Sequence, residues 1–158
     1  MADHLTHSPG DFNPIGAQSP RKPKLLIIED DDTLRTQMSR ALAEEYEIFQ
    51  AGDRMTALEV FRKERPVLVT LDLGLPPATH GVEEGFAALA AILDIDTIAK
   101  VVVVTGRVER EYRRNSLAKG AYDLFYKPYD LEELKIILRR AHYLFTLEEE
   151  HRSKERRA

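Results

Sequence analysis

Short aliphatic runs alternate five times with longer amphipathic segments along this chain, and no other property of the sequence restricts its folding so strongly. The runs are LLIIE (25 to 29), YEIFQA (46 to 51), VLVTLD (67 to 72), KVVVVTG (100 to 106) and YDLFYKP (122 to 128). Between them lie DTLRTQMSRALAEE, DRMTALEVFRKER, VEEGFAALAAILD, VEREYRRNSLAKG and a last segment from Asp130 onward, each with apolar residues three or four apart, the spacing of an amphipathic helix. Runs that are apolar at successive positions suit strands covered on both faces, and strand-helix repeats give right-handed crossovers. The pattern therefore predicts an α/β fold, a doubly wound five-stranded parallel sheet.

In an open parallel sheet, ligands bind beyond the carboxyl ends of the strands. The residues that end these runs are Glu29 and Asp30 after the first, Asp72 after the third, Thr105 after the fourth and Lys127 after the fifth. The stretch LLIIEDDDTLR places four acids directly against a buried strand, and such repulsion needs a cation to answer it. Oxygen ligands of this kind suit a hard divalent ion, Mg²⁺ or alternatively Mn²⁺. Carboxylates, a hydroxyl and a lysine on one rim are the parts that move a phosphoryl group onto an aspartate. Asp72 is then the nucleophile, with Glu29 and Asp30 as metal ligands. Asp31 or Asp32 belongs to the following helix as N-cap and first-turn charge.

The remaining composition narrows the class. The 158 residues suit one domain, no apolar run approaches the ~20 residues of a membrane span, and no hydrophobic signal segment is visible. The chain has no cysteine, which leaves no disulfide or thiolate chemistry, and its net charge of −4 argues against a nucleic-acid surface. These features fit a cytoplasmic protein without a membrane partner. Residues 1 to 23, rich in Pro, Ser, Gly and His, read as a flexible leader. The five histidines, His4, His7, His80, His142 and His151, share no ligand spacing and read as solvated surface. Gly74, Gly106 and Gly120 form no phosphate-cradling motif.

An acidic pair, then LDLGLPP, then VVVVTG, then YKP, in that order at strand ends, resembles the receiver domain of bacterial two-component response regulators, over about residues 24 to 145. The resemblance implies a CheY-like, flavodoxin-like sheet of order 2-1-3-4-5, an arrangement for which CheY is itself a standard example. It implies that Asp72 accepts phosphate from a sensor histidine kinase. It further implies that Glu29, Asp30, Asp72 and the backbone carbonyl of Gly74 bind Mg²⁺, that Thr105 follows the phosphoryl group, and that Lys127 precedes a cis proline at Pro128. Such a chain is a signalling phosphoacceptor rather than an enzyme, assisting only its own phosphorylation and dephosphorylation.

Three departures stand out, one of them Glu29 as the first acid where the family more often has Asp. The position three before Lys127, commonly Tyr or Phe in the family, is Leu124, which puts the usual aromatic readout of Thr105 in question. Phe125 and Tyr126 adjoin it, and a shift of one residue turns a side chain to the other face of a strand. The loop LGLPPATHGVEEGF is longer than usual, and with the EEGFAAL helix start it resembles NtrC-like regulators linked to exosortase and extracellular polysaccharide systems. Gly74, Gly106 and Arg107 flank the approach of the hydrolytic water and tune the phosphate's lifetime, in a direction the sequence does not give.

Two other readings compete. A haloacid-dehalogenase-type phosphatase needs an Asp two residues after the nucleophile, where Gly74 stands, and places its acidic pair last. A degenerate receiver would act as a phosphorylation-independent interaction module, a reading that Leu124 favours and the complete acid, Thr and Lys set opposes. Leu131, Leu134, Ile137, Leu138, Ala141, Leu144, Phe145 and Leu147 continue a helical stripe into a charged tail, residues 146 to 158. That segment is either a core-facing helix with a solvated end or a linker that pairs with a second copy. No helix-turn-helix or Walker motif is present, so an output domain is expected to be absent from this chain.

Overall fold

The computed structural model describes residues 20–158. The leader expected at residues 1 to 23 lies almost wholly outside them. Strands β1 (Lys24–Ile28), β2 (Glu47–Ala51), β3 (Leu68–Leu71), β4 (Lys100–Thr105) and β5 (Asp123–Tyr126) alternate with helices α1 (Asp32–Leu42), α2 (Arg54–Glu64), α3 (Glu83–Ile95), α4 (Arg110–Ala118) and α5 (Leu131–Arg157). All strand pairs are parallel, in the order β2-β1-β3-β4-β5. The chain is thus a doubly wound α/β fold, as the alternation predicts, with the CheY-like strand order that the resemblance implies.

The unbroken apolar runs serve two cores, because successive strand residues face opposite sides. Leu26, Ile28, Val69, Leu71, Val101, Val103 and Leu124 pack with Ala57, Phe61, Leu89 and Ile92 of α2 and α3. Leu25, Ile27, Leu68, Val102 and Val104 pack with Met38 and Leu42 of α1 and with Leu134, Leu138 and Ala141 of α5. Most of these side chains are fully buried, each worth roughly 1.5–3 kcal/mol relative to exposure.

Aspartates start three of the helices. Asp31 accepts from the Leu34 N–H, Asp53 from Thr56, and Asp130 from Glu132 and Glu133, contributing about 1 kcal/mol per cap. Asp31 is therefore the N-cap of α1, and Asp32 in the first turn pairs with Arg35. Gly85 lets the first turn of α3 lie directly on β3's exit, since a Cβ there would fall 2.4 Å from the Leu73 Cα.

α5 runs unbroken for 27 residues, and its apolar stripe divides. Leu134, Leu138 and Ala141 are buried, whereas Leu144 and Leu147 turn outward beside Ile136 and Tyr143. The end of the helix is tied back to the domain, through Glu148 to Lys100 at 2.9 Å and Arg152 to Asp96 at 2.9 Å. His142, expected to be solvated, is half-buried, and burial lowers its pKa. Among the described residues, no helix is long and apolar enough to cross a membrane.

Candidate phosphoacceptor site

The carboxyl ends of β1, β3, β4 and β5 bring together the residues that the strand-end rule selects. An open cleft of ≈ 400 Å³ is lined by Asp30, Asp72, Gly74, Thr79, His80, Thr105, Gly106, Arg107 and Lys127. Glu29 stands behind it, 5% exposed. Oxygens of Glu29, Asp30 and Asp72 lie within 4.8 Å of one another.

Lys127 answers part of this charge. Its Nζ donates to Glu29 Oε1 and Oε2 at 2.9 and 3.0 Å and to Asp72 Oδ2 at 3.3 Å. Burial opposes the ammonium, yet the two carboxylates hold its pKa above the ordinary value. One cation does not balance the cluster. Burial first, then the neighbouring Asp72, push the Glu29 carboxyl up to about 8 despite the bonds from Lys127. Lys127 therefore answers only part of the repulsion that the sequence raises as a problem.

Local geometry explains each placement. Arg35, one turn into α1, donates to the Glu29 carbonyl at 2.7 Å and to Gln50 at 3.3 Å, fixing the acidic turn; no motif marks this residue in the sequence. The Gly74 N–H donates to Asp72 Oδ1 at 3.2 Å. A Cβ on Gly74 would fall 2.7 Å from the Thr79 carbonyl oxygen, so the long β3–α3 loop folds back onto this position. Thr105 is fully buried, and its Oγ1 accepts from the Arg107 N–H at 3.2 Å. Arg107 reaches across to the carbonyls of Thr79, at 3.3 Å, and His80. His80 is exposed as expected, but it stands on the cleft's rim rather than on indifferent surface. The Lys127–Pro128 peptide is cis, and so is Pro76–Pro77.

The departure at Leu124 takes a definite form. Leu124 is 3% exposed and packed in the α2–α3 core. Tyr126, two residues on, therefore shares its face, while Phe125 joins the opposite core. Tyr126 is the register partner of Thr105 and packs, like Tyr112 of α4, against the core that holds Leu124. An aromatic ring does stand beside the Thr105 end of the strand, two positions from where the family pattern puts it.

A five-stranded doubly wound sheet with three acids, a threonine and a lysine at its carboxyl edge defines a receiver-type protein. Residues 25–139 match the response regulator receiver domain family, and the chain belongs to it. It is 32% identical over 130 residues to the regulatory protein AtoC of Escherichia coli K12, covering 82% of this chain and 27% of that protein. It is 32% identical over 113 residues to sporulation initiation phosphotransferase F of Bacillus subtilis 168, covering 71% of this chain and 87% of that one. Among solved structures it resembles the signal receiver domain of a LuxO repressor protein from Vibrio parahaemolyticus (TM-score 0.73, 26% identity, 81% of this chain and 95% of that one). NtrX from Brucella abortus is similar too, with TM-score 0.74 and 26% identity over 85% of this chain and 30% of NtrX, which fits the NtrC-like resemblance. The chain thus spans about a quarter of AtoC's length. Membership of this family, a phosphoacceptor family of two-component signalling, replaces the phosphatase alternative.

Proposed function

We propose that Asp72 is the phosphoacceptor of this receiver and takes its phosphoryl group from a phosphohistidine on a sensor histidine kinase. The observation that carries the reading is the contact of Lys127 with Asp72 inside a cleft that Thr105 and Asp30 also line. An Asp72 oxygen attacks phosphorus, the P–N bond breaks, and its electron pair returns to the imidazole. Lys127 balances charge on the phosphoryl oxygens, and the Thr105 hydroxyl donates to one of them.

The donor set fits a hard divalent cation: three close carboxylates, one deeply buried, with a single ammonium against them. Glu29, Asp30, Asp72 and the Gly74 carbonyl would hold Mg²⁺ or Mn²⁺, which when bound supplies positive charge to the phosphoryl oxygens. The chain's own residues place the attacking oxygen, keep Lys127 beside it and narrow the access of water.

Residues 24 to 145 form the receiver and 146 to 158 a helical linker, and α5, which runs through both, presents an outward stripe of Ile136, Tyr143, Leu144 and Leu147 that pairs with a second copy. A longer regulator of the NtrC-like kind, including the exosortase-linked group, would continue from it to an output domain. The test is intact-protein mass after incubation with Mg²⁺ and acetyl phosphate. One phosphoryl group added to the native chain and none to Asp72→Asn supports the reading. Equal labelling of both identifies another acceptor, and no labelling of either leaves the phosphorylation-independent module.

A further inference from the structure

We propose that Arg35 is a positioning residue for the divalent cation, and that it raises the site's affinity although its own charge opposes a cation. The inference rests on Glu29, Asp30 and Asp72 being the metal ligands. Those ligands come from two segments: Asp72 follows β3, whereas Glu29 and Asp30 are consecutive residues beyond the end of β1. In an extended chain successive side chains point to opposite faces. The peptide that joins Glu29 to Asp30 must therefore take a particular orientation for both carboxylates to meet Asp72. It does so here, since the three offer oxygens within 4.8 Å of one another.

Arg35 holds that peptide. Its Nη1 donates to the Glu29 carbonyl at 2.7 Å, and because a peptide unit is planar, fixing this oxygen fixes the plane from which both side chains leave. The guanidinium is itself anchored on two further sides. Its Nε donates to Gln50 Oε1 of β2 at 3.3 Å, and its Nη2 pairs with Asp32 in the first turn of α1. The Arg35 side chain is only 19% exposed. β2 leaves room for it at Gly52, where a Cβ would fall 3.1 Å from Nη1. Lys127 meets Glu29 through its carboxylate and Arg35 meets it through its carbonyl, so the two cations act on different parts of one residue.

Charge and position make opposite predictions. A guanidinium beside a cation site repels the ion, so a residue acting through its field alone would, on removal, tighten metal binding. A residue that orients the ligands would, on removal, weaken it, as loss of a group bonded behind a metal ligand does. The sign of the change in affinity therefore separates the two roles.

The experiment titrates the full chain with Mn²⁺, without any phosphodonor, and counts the free ion by electron paramagnetic resonance. Arg35→Ala should bind Mn²⁺ about tenfold more weakly than the native chain. Arg35→Lys should fall between them, because an ammonium can reach the Glu29 carbonyl but cannot fork to Gln50 as well. Gln50→Ala changes no charge and should weaken binding in the same direction by a smaller factor, which keeps the test open if Arg35→Ala does not fold. Affinity in Arg35→Ala equal to or above the native one overturns the proposal, and so does native affinity in Gln50→Ala. Amide exchange in the presence of a chelator is the second readout. The Glu29 N–H, bonded to the Ala51 carbonyl at 3.0 Å, should exchange faster in both Ala variants, and unchanged exchange also overturns it. If the native chain binds no Mn²⁺ at all, the metal-ligand reading fails, and the exchange measurement still decides whether Arg35 holds the peptide.

Discussion

Thr105 and Tyr126 are register partners across the β4–β5 pairing, and the tyrosine shares its sheet face with the fully packed Leu124. The two β5 residues therefore separate under mutation. Leu124→Ala should cost about 2–4 kcal/mol in urea unfolding, as loss of a buried Leu does. Tyr126→Ala should cost less, because Tyr126 is only partly buried, but should diminish the change in tyrosine fluorescence on phosphorylation. An undiminished change would show that Tyr126 does not sense the site.

Lys127 touches both Glu29 and Asp72, so its removal leaves the developing phosphoryl charge uncompensated. Lys127→Met should slow labelling by acetyl phosphate at least ~100-fold, the scale of losing one preorganised charge-stabilising group. Labelling at the native rate would detach Lys127 from the chemistry.

The raised pKa of Glu29 has a definite sign in folding. Its carboxyl titrates at about 8 in the folded chain against an ordinary 4.5, so between these values the unfolded chain releases a proton that the folded chain keeps. Stability of the metal-free protein should accordingly fall as pH rises from 4.5 through 8 and level off above. Urea midpoints in the presence of a chelator measure this, and Glu29→Gln should flatten the slope. A slope that persists in the variant would place the titration elsewhere.

The far end of α5 is held by two ion pairs that bridge it to β4 and the α3–β4 connection. Arg152→Ala breaks one of them and should cost the domain about 1 kcal/mol or less, since both partners are partly hydrated. Amide exchange over residues 146 to 157 should rise more than the global stability falls. Exchange confined to its native rate would mean that the helix is self-supporting there.

The solution oligomer tests the outward stripe. Leu147→Glu and Tyr143→Glu put charge on exposed apolar positions and should shift the light-scattering mass toward the monomer without lowering the unfolding midpoint. A mass that never exceeds one chain, in the native protein and the variants alike, would remove the pairing.

What the sequence made legible follows a physical division. Strand runs announce themselves because burial on both faces demands apolar residues at every position, and a strand's last polar residue marks its carboxyl end. That is why the sequence alone puts Asp72, Thr105 and Lys127 at the carboxyl edge of the sheet. Asp31, Asp53 and Asp130 carry the same kind of local signal, a polar residue just ahead of a helical period. Tyr126 reads less directly: Phe125 next to it does change face, but two steps along a strand restore the original face. Arg35 is harder still to read, and Arg107 is legible by position beside Thr105 but not by its partners. Each acts through bonds to backbone carbonyls, which leave no preference in the residues that supply them, and Arg107 reaches carbonyls 27 and 28 residues away in the chain.

The 27-residue helix α5 begins four residues after Lys127 and ends past the opposite edge of the sheet, beyond Asp96. At 1.5 Å per residue it is a rod ~40 Å long. A tilt of about 5° at its first turn carries the free end through ~3.5 Å, close to the width of one side chain, which is enough to move one packing register out of contact. Helix length would thus multiply any small rotation of its first turn, and the ion pairs of Glu148 and Arg152 would limit how much of that travel reaches the outer turns.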